Sequence, residues 1–178
     1  MAYNNGWANH RLLTACEALD DAAFQAPRTG FFPSLMATLN HILVVDWFYV
    51  DALEGGALGY AAFADEAPFK TAAMLRRAQR DVDDGLIAVC EALSNEALGG
   101  EVRVHRDGRV QVERRDRLLL HLFQHQIHHR GQAHAMLSGT GVAPPQLDEF
   151  FSIGEAPLRA GEFADLGWTE ERVWGRAR

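Results

Sequence analysis

Four of the chain's eight histidines stand in HLFQHQIHHRGQ, His121 to Gln132. Placed at helical steps of about 100°, Leu118, Leu122, His125, His129, Ala133 and Met136 fall within one arc of about 80°. His125 and His129 therefore share the apolar stripe of a helix, whereas a solvated polar face would set them opposite the leucines. His121 and His128 lie at the edge of that stripe, about 60–80° around. Imidazoles at i and i+4 have Cβ atoms about 5–6 Å apart and can converge on one cation. The competing reading is a pair of core histidines, each needing its own hydrogen-bond partner.

Two ligands do not complete a centre. A catalytic zinc site wants three protein ligands and one open position, so a third must come from another helix. His41, in TLNHILVVDWF, is the best placed, in the middle of the most apolar segment of the chain. His10 lies beside Arg11 near the solvent edge of the first helix, and His105 sits beside a turn. His134 projects about 140° away from His129 and cannot join it. Asp46, five residues beyond His41, is a poor angular match for the same ion but can orient a ligand or pair with Arg130. Three neutral imidazoles leave a cation its full charge. Such a centre lowers the pKa of a coordinated water towards about 7 and ionises a coordinated thiol.

The elements that must position these residues are helices. Ala8, Leu12, Ala15, Cys16, Leu19 and Ala23 recur at helical spacing, with Asn4 or Asn5 as the N-cap. A second helix, residues 34–53, has Pro33 in its first turn and stops at Glu54-Gly55-Gly56. The third, residues 71–93, carries the stripe Leu75, Ala78, Val82, Leu86, Val89 and Leu93. Its other face carries Arg76, Arg80, Asp83, Asp84 and Glu91. The fourth, residues 117–138, ends at Gly139-Thr140-Gly141.

Between the third and fourth helices, EVRVHRDGRVQVE alternates about Asp107-Gly108 and predicts a β-hairpin. Val102, Val104, Val110 and Val112 are expected on one face of it. Residues 56–69 read as a long loop. The fold class is thus all-α: an antiparallel four-helix bundle over residues 1–153, with a small hairpin between helices 3 and 4. A short C-terminal extension, residues 154–178, follows. Its Phe163, Trp168 and Trp174 suggest packing on the bundle or on a partner subunit.

Composition narrows the partners. Hydrophobic residues make up 48% and charged residues 23%, the balance of a soluble globular protein. A net charge of −7 argues against nucleic-acid or anionic-membrane partners. The short run Arg114, Arg115 and Arg117 reads as a solvated helix start. No signal peptide or membrane-spanning run is read, and the two cysteines, Cys16 and Cys90, form no CxxC motif. A cytoplasmic protein with reduced, buried thiols is expected.

With these residues in place, the chain resembles the DinB/YfiT family of small metal-binding four-helix bundles. The likeness rests on YNNGWANHRLL at the start, on NHILVVDW in helix 2, and most specifically on the HHRGQ box. It covers roughly residues 3–153. The resemblance implies a three-histidine site of His41, His125 and His129 holding zinc or nickel, in a homodimer. His121, His128, Asp46 and Arg130 are then expected behind or beside those ligands. It also implies kinship with bacillithiol S-transferases and with mycothiol-dependent maleylpyruvate isomerase, which has Glu for one helix-4 histidine. A metal-dependent transferase acting with a low-molecular-weight thiol on a small-molecule substrate is the function expected on that ground. Metal-dependent hydrolysis, and non-catalytic binding of a metal or stress ligand, remain as alternatives.

Overall fold

The computed structural model describes residues 1–175. The chain forms two compact units, Met1–Pro145 and Gln146–Arg178. In the first, four long helices dominate: α1 (Ala2–Cys16), α3 (Leu35–Leu53), α4 (Ala72–Ala92) and α6 (Arg115–Ser138). Two short helices, α2 (Asp21–Gln25) and α5 (Asn95–Leu98), lie between them. α1 packs on α4, α4 on α3, α3 on α6 and α6 on α1, closing the ring of a four-helix bundle.

Local chemistry sets the helix starts. Ser34 Oγ accepts from the Ala37 amide at 3.1 Å, and Thr71 Oγ1 accepts from the Met74 amide at 3.3 Å. Pro33 therefore precedes the cap of α3 rather than occupying its first turn. Helix α1 begins at Ala2, ahead of the expected asparagine caps, so Asn4 and Asn5 lie within its first turns and Asn5 and Asn9 are buried. It stops at Cys16, so Leu19 falls in a turn and Ala23 in α2.

Helix α3 is the buried member. Leu35, Ile42, Leu43, Val44 and Phe48 are each at most 1% exposed. Each such side chain contributes roughly 1.5–3 kcal/mol of burial. Among the described residues, no helix is long and apolar enough to cross a membrane. Cys16 is buried, Cys90 is half-buried, and both are free thiols.

The hairpin forms where expected, β1 (Glu101–Arg106) against β2 (Arg109–Arg114), but its valines divide. Val102 pairs with Glu113 and Val104 with Gln111, while Val110 and Val112 lie opposite His105 and Arg103. A two-residue turn pairs even positions with odd ones, and directly paired residues share a face. Val102 and Val104 are buried, whereas Val110 and Val112 are exposed. β1 lies against α3 and a 3₁₀ turn at Gly59–Phe63, within the segment expected to be loop. Gly59 has φ +53°, and a Cβ there would meet the His105 carbonyl oxygen at 2.9 Å. Only glycine fits that approach.

The second unit holds α7 (Ala156–Leu166) and α8 (Glu170–Trp174). Arg159 forks onto both Glu170 carboxylate oxygens at 2.8 and 2.9 Å and donates to the Ser152 carbonyl. Phe150 meets Phe163 and Trp174, and Phe163 meets Trp168, so the aromatics of this unit pack on one another.

Candidate metal centre

Helix α6 turns one face towards α3 and brings three imidazoles together. His41, His125 and His129 each offer a ligating atom, and those atoms lie within 4.8 Å of one another. The Nε2 atoms of His41 and His125 are 3.0 Å apart. Two nitrogens bound tetrahedrally at ~2.0–2.1 Å from one zinc ion lie ~3.3 Å apart, close to that spacing. The Nδ1 of His125 is buried and has no hydrogen-bond partner. Position and donor chemistry thus fit one divalent cation. Among the described residues, no carboxylate or cysteine joins the group.

The electrostatics favour the ligating form. Burial, then the charge of His129, pushes His41 down to about 4. Burial and the neighbouring histidines push His125 down to about 3. His129 is lowered as well, chiefly by burial, against the opposing effect of its bond to Gln132. All three are therefore neutral near pH 7, with lone pairs free for a cation.

Gln132 decides which nitrogen His129 offers. His129 Nδ1 lies 2.8 Å from Gln132 Oε1, which can only accept, so Nδ1 carries the proton and Nε2 is left to ligate. Gln132 Nε2 is in turn 3.2 Å from the Nε2 of exposed His128. Replacing Gln132 by alanine should weaken divalent-metal affinity by about 10–100-fold, as loss of an outer partner to a ligating histidine does elsewhere. Competition titration against a chromogenic chelator checks this; an unchanged affinity excludes the role.

Phe32, in the turn before α3, forms one wall. Its ring centroid lies 4.3 Å from His41 and 5.6 Å from His129. On the other side, His121 is exposed, 6.2 Å from His125 and edge-on to Tyr49 at 5.3 Å. His128 stacks edge-on against His129 at 4.8 Å. Away from the group, His134 reaches the Pro145 carbonyl at 3.0 Å. His10, read from sequence as near the solvent edge, is buried instead.

Asp46 and Arg130 sit in a second polar assembly within the core. Arg130 donates to the side-chain oxygens of Asn5, Asn9 and Gln126 at 2.6, 3.0 and 2.9 Å. Asn5 and Asn9 donate to Asp83 at 3.1 and 3.0 Å. Gln79 donates to Asp46 at 2.7 Å, and Gln126 donates to the same oxygen. Amides thus stand between the cation and both carboxylates, and each of the four long helices contributes. Asp83, placed by sequence on the charged face of its helix, is buried here. Its visible signal was spacing: Asn5/Asn9, Gln79/Asp83 and Gln126/Arg130 are each polar pairs at i and i+4.

The DinB family profile matches residues 1–159. The chain belongs to the DinB family. No curated protein shows significant sequence similarity to this DinB chain. A DinB-like protein from Bacillus cereus, of known crystal structure, is similar to it at a TM-score of 0.62 and 17% identity. The match covers 81% of this chain and 91% of that one, and at such identity it shows a shared fold.

Proposed function

We propose that this DinB-family protein binds one divalent cation, zinc or nickel, through His41, His125 and His129. With it, the protein acts as a transferase joining a low-molecular-weight thiol to an electrophilic small molecule. The observation that carries the reading is the convergence of three neutral imidazoles at a rim that is only partly buried. Structural zinc sites are closed by four protein ligands, whereas three leave room for a substrate. A cation held there supplies Lewis acidity, which ionises a coordinated thiol or water.

The chain's own groups do the rest. Gln132 fixes the tautomer of His129, Phe32 keeps water from one side of the imidazoles, and exposed His121 and His128 flank the group on its solvent side. The thiol part rests on the likeness of the HHRGQ box to thiol-dependent bundles. One observation favours a second reading: the triad joins α3 to α6, so the ion can serve as a clamp without turnover.

Metal-loaded protein incubated with bacillithiol, mycothiol or glutathione and 1-chloro-2,4-dinitrobenzene separates the two. Thiol adduct formed only with metal, and lost in His125→Ala, is the expected result. No metal-dependent turnover with any thiol leaves the clamp. We also infer a homodimer, on the support of α6. Its exposed positions Leu120, Gln124, Ile127, Gly131, Ala135 and Ser138 form an uncharged face, with Leu120 68% and Ile127 54% exposed. A monomer in sedimentation at micromolar concentration would exclude it.

A further inference from the structure

A polar track leaves the histidine group along the seam between α3 and α6 and ends at a cation. Tyr49 lies eight residues beyond His41 on α3, about 12 Å along the helix axis. His121 lies one turn, about 6 Å, before His125 on α6. The two rings meet edge-on at 5.3 Å. Beyond them Arg106, the last residue of β1, points Nη2 at the Tyr49 hydroxyl at 3.5 Å. Its guanidinium carbon lies 4.9 Å over the Phe48 ring, and the Tyr60 hydroxyl also faces it.

What Arg106 lacks is an anion. Arg76, Arg114 and Arg159 each hold a carboxylate within 2.9 Å. Arg106 has no such partner among the described residues, and its Nε is buried without an acceptor. A planar guanidinium stacked on one ring and flanked by phenols is held in a fixed orientation, with its donor fork preorganised for a carboxylate. On a chain of net charge −7, a half-buried cation fixed in orientation is a specific attractor for an anion. A single guanidinium matches the single charge of a carboxylate better than the double charge of a phosphate.

We infer that Arg106, with Tyr49, is a subsite for the carboxylate of an elongated substrate whose opposite end reaches the three histidines. The inference rests on the proposed metal-dependent thiol reading and narrows it to thiols bearing a carboxylate remote from the sulfur.

The test compares 8-mercaptooctanoate with 8-mercaptooctanol on cobalt(II)-loaded protein, read by the thiolate-to-cobalt absorption band. The carboxylate is expected to bind about tenfold more tightly than the alcohol. That ratio should fall to about one in Arg106→Gln and to an intermediate value in Arg106→Lys, which keeps the charge but loses the fork. Equal affinities in the unsubstituted protein, or an undiminished ratio in Arg106→Gln, overturn the subsite.

A metal-independent arm follows the Arg106 Nε–H resonance in ¹H–¹⁵N spectra during titration with octanoate. If the cobalt band responds to neither thiol but the resonance shifts with octanoate and not with octanol, the metal reading fails and the subsite stands. If the resonance shifts with neither, the subsite falls.

Discussion

If the three histidines hold a divalent cation as proposed, replacement of His125 by alanine should abolish its stoichiometric binding, the largest effect on ligand binding expected of a single change in this protein. The three rings are nearly equidistant, with centroids 5.0 Å apart for His41 and His125, 4.4 Å for His125 and His129 and 4.7 Å for His41 and His129, so each is one corner of the group. Without it two nitrogens remain, on different helices, and too few ligands are left to hold a cation against water. Metal-free protein should lose little stability on this change, because the imidazole is half-buried with Nδ1 unpartnered. The gain in stability on adding metal should disappear. For a ligand at about 1,000 times its Kd that gain is about 4 kcal/mol. Elemental analysis by mass spectrometry and thermal unfolding with and without metal provide the readouts. Stoichiometric metal retained by any two of the variants His41→Ala, His125→Ala and His129→Ala would sink the three-histidine assignment.

The second large effect belongs to the core. Arg130 is 4% exposed and, through the side-chain amides of Asn5, Asn9 and Gln126, faces two buried carboxyl groups. Arg130→Ala should cost about 3–5 kcal/mol of folding stability, since it leaves the buried amide oxygens of Asn5, Asn9 and Gln126 without their donor, a loss of about 1–3 kcal/mol for each. Its measure is the chemical-denaturation midpoint, and a loss below about 1 kcal/mol would contradict the role.

The same assembly sets a pH dependence. Burial, reinforced by Asp83, pushes Asp46 up to about 8 against the bonds from Gln79 and Gln126. Burial pushes Asp83 up to about 7, opposed by its amide partners and by Arg130. A carboxyl raised above its unfolded value of about 3.9 holds its proton more tightly in the native state. Its contribution is complete below about pH 4 and is lost as the pH rises through the folded values. The histidines act in reverse. His41 at about 4 and His125 at about 3 lie below the unfolded value near 6.5, so their cost appears as the pH falls below that point. Between about pH 7 and 8.5 the carboxyl contribution therefore stands alone. Metal-free protein should lose Tm across that window, and Asp46→Asn should flatten the slope. An equal slope in the variant would rule out Asp46 as the source.

Both effects originate in α6, where alternate faces do different work. His125 and His129 turn towards His41, while their chain neighbours Gln126 and Arg130 turn into the polar core. The bonds of Gln126 to Asp46 and of Arg130 to Asn5 and Asn9 fix the rotation of α6 about its axis. That rotation carries the two histidines to α3.

The sequence by itself determined the helices and the paired histidines. A helical period is a local property of repeated backbone angles, so four residues' spacing was enough to put His125 and His129 on one apolar stripe. The apolar run around His41 likewise marked a buried helix. The hairpin turn was equally local, and the parity of its pairing was available from Asp107-Gly108 even though the valines were assigned to one face. Tertiary structure alone decided what meets across helices: Phe32 over His41, Arg106 against Tyr49, and the amides between Arg130 and its two carboxylates. These contacts join residues up to 125 positions apart, as Arg130 and Asn5 are. Their partners depend on how each helix is rotated and raised against its neighbours. Packing of the whole core sets that, and no local period encodes it.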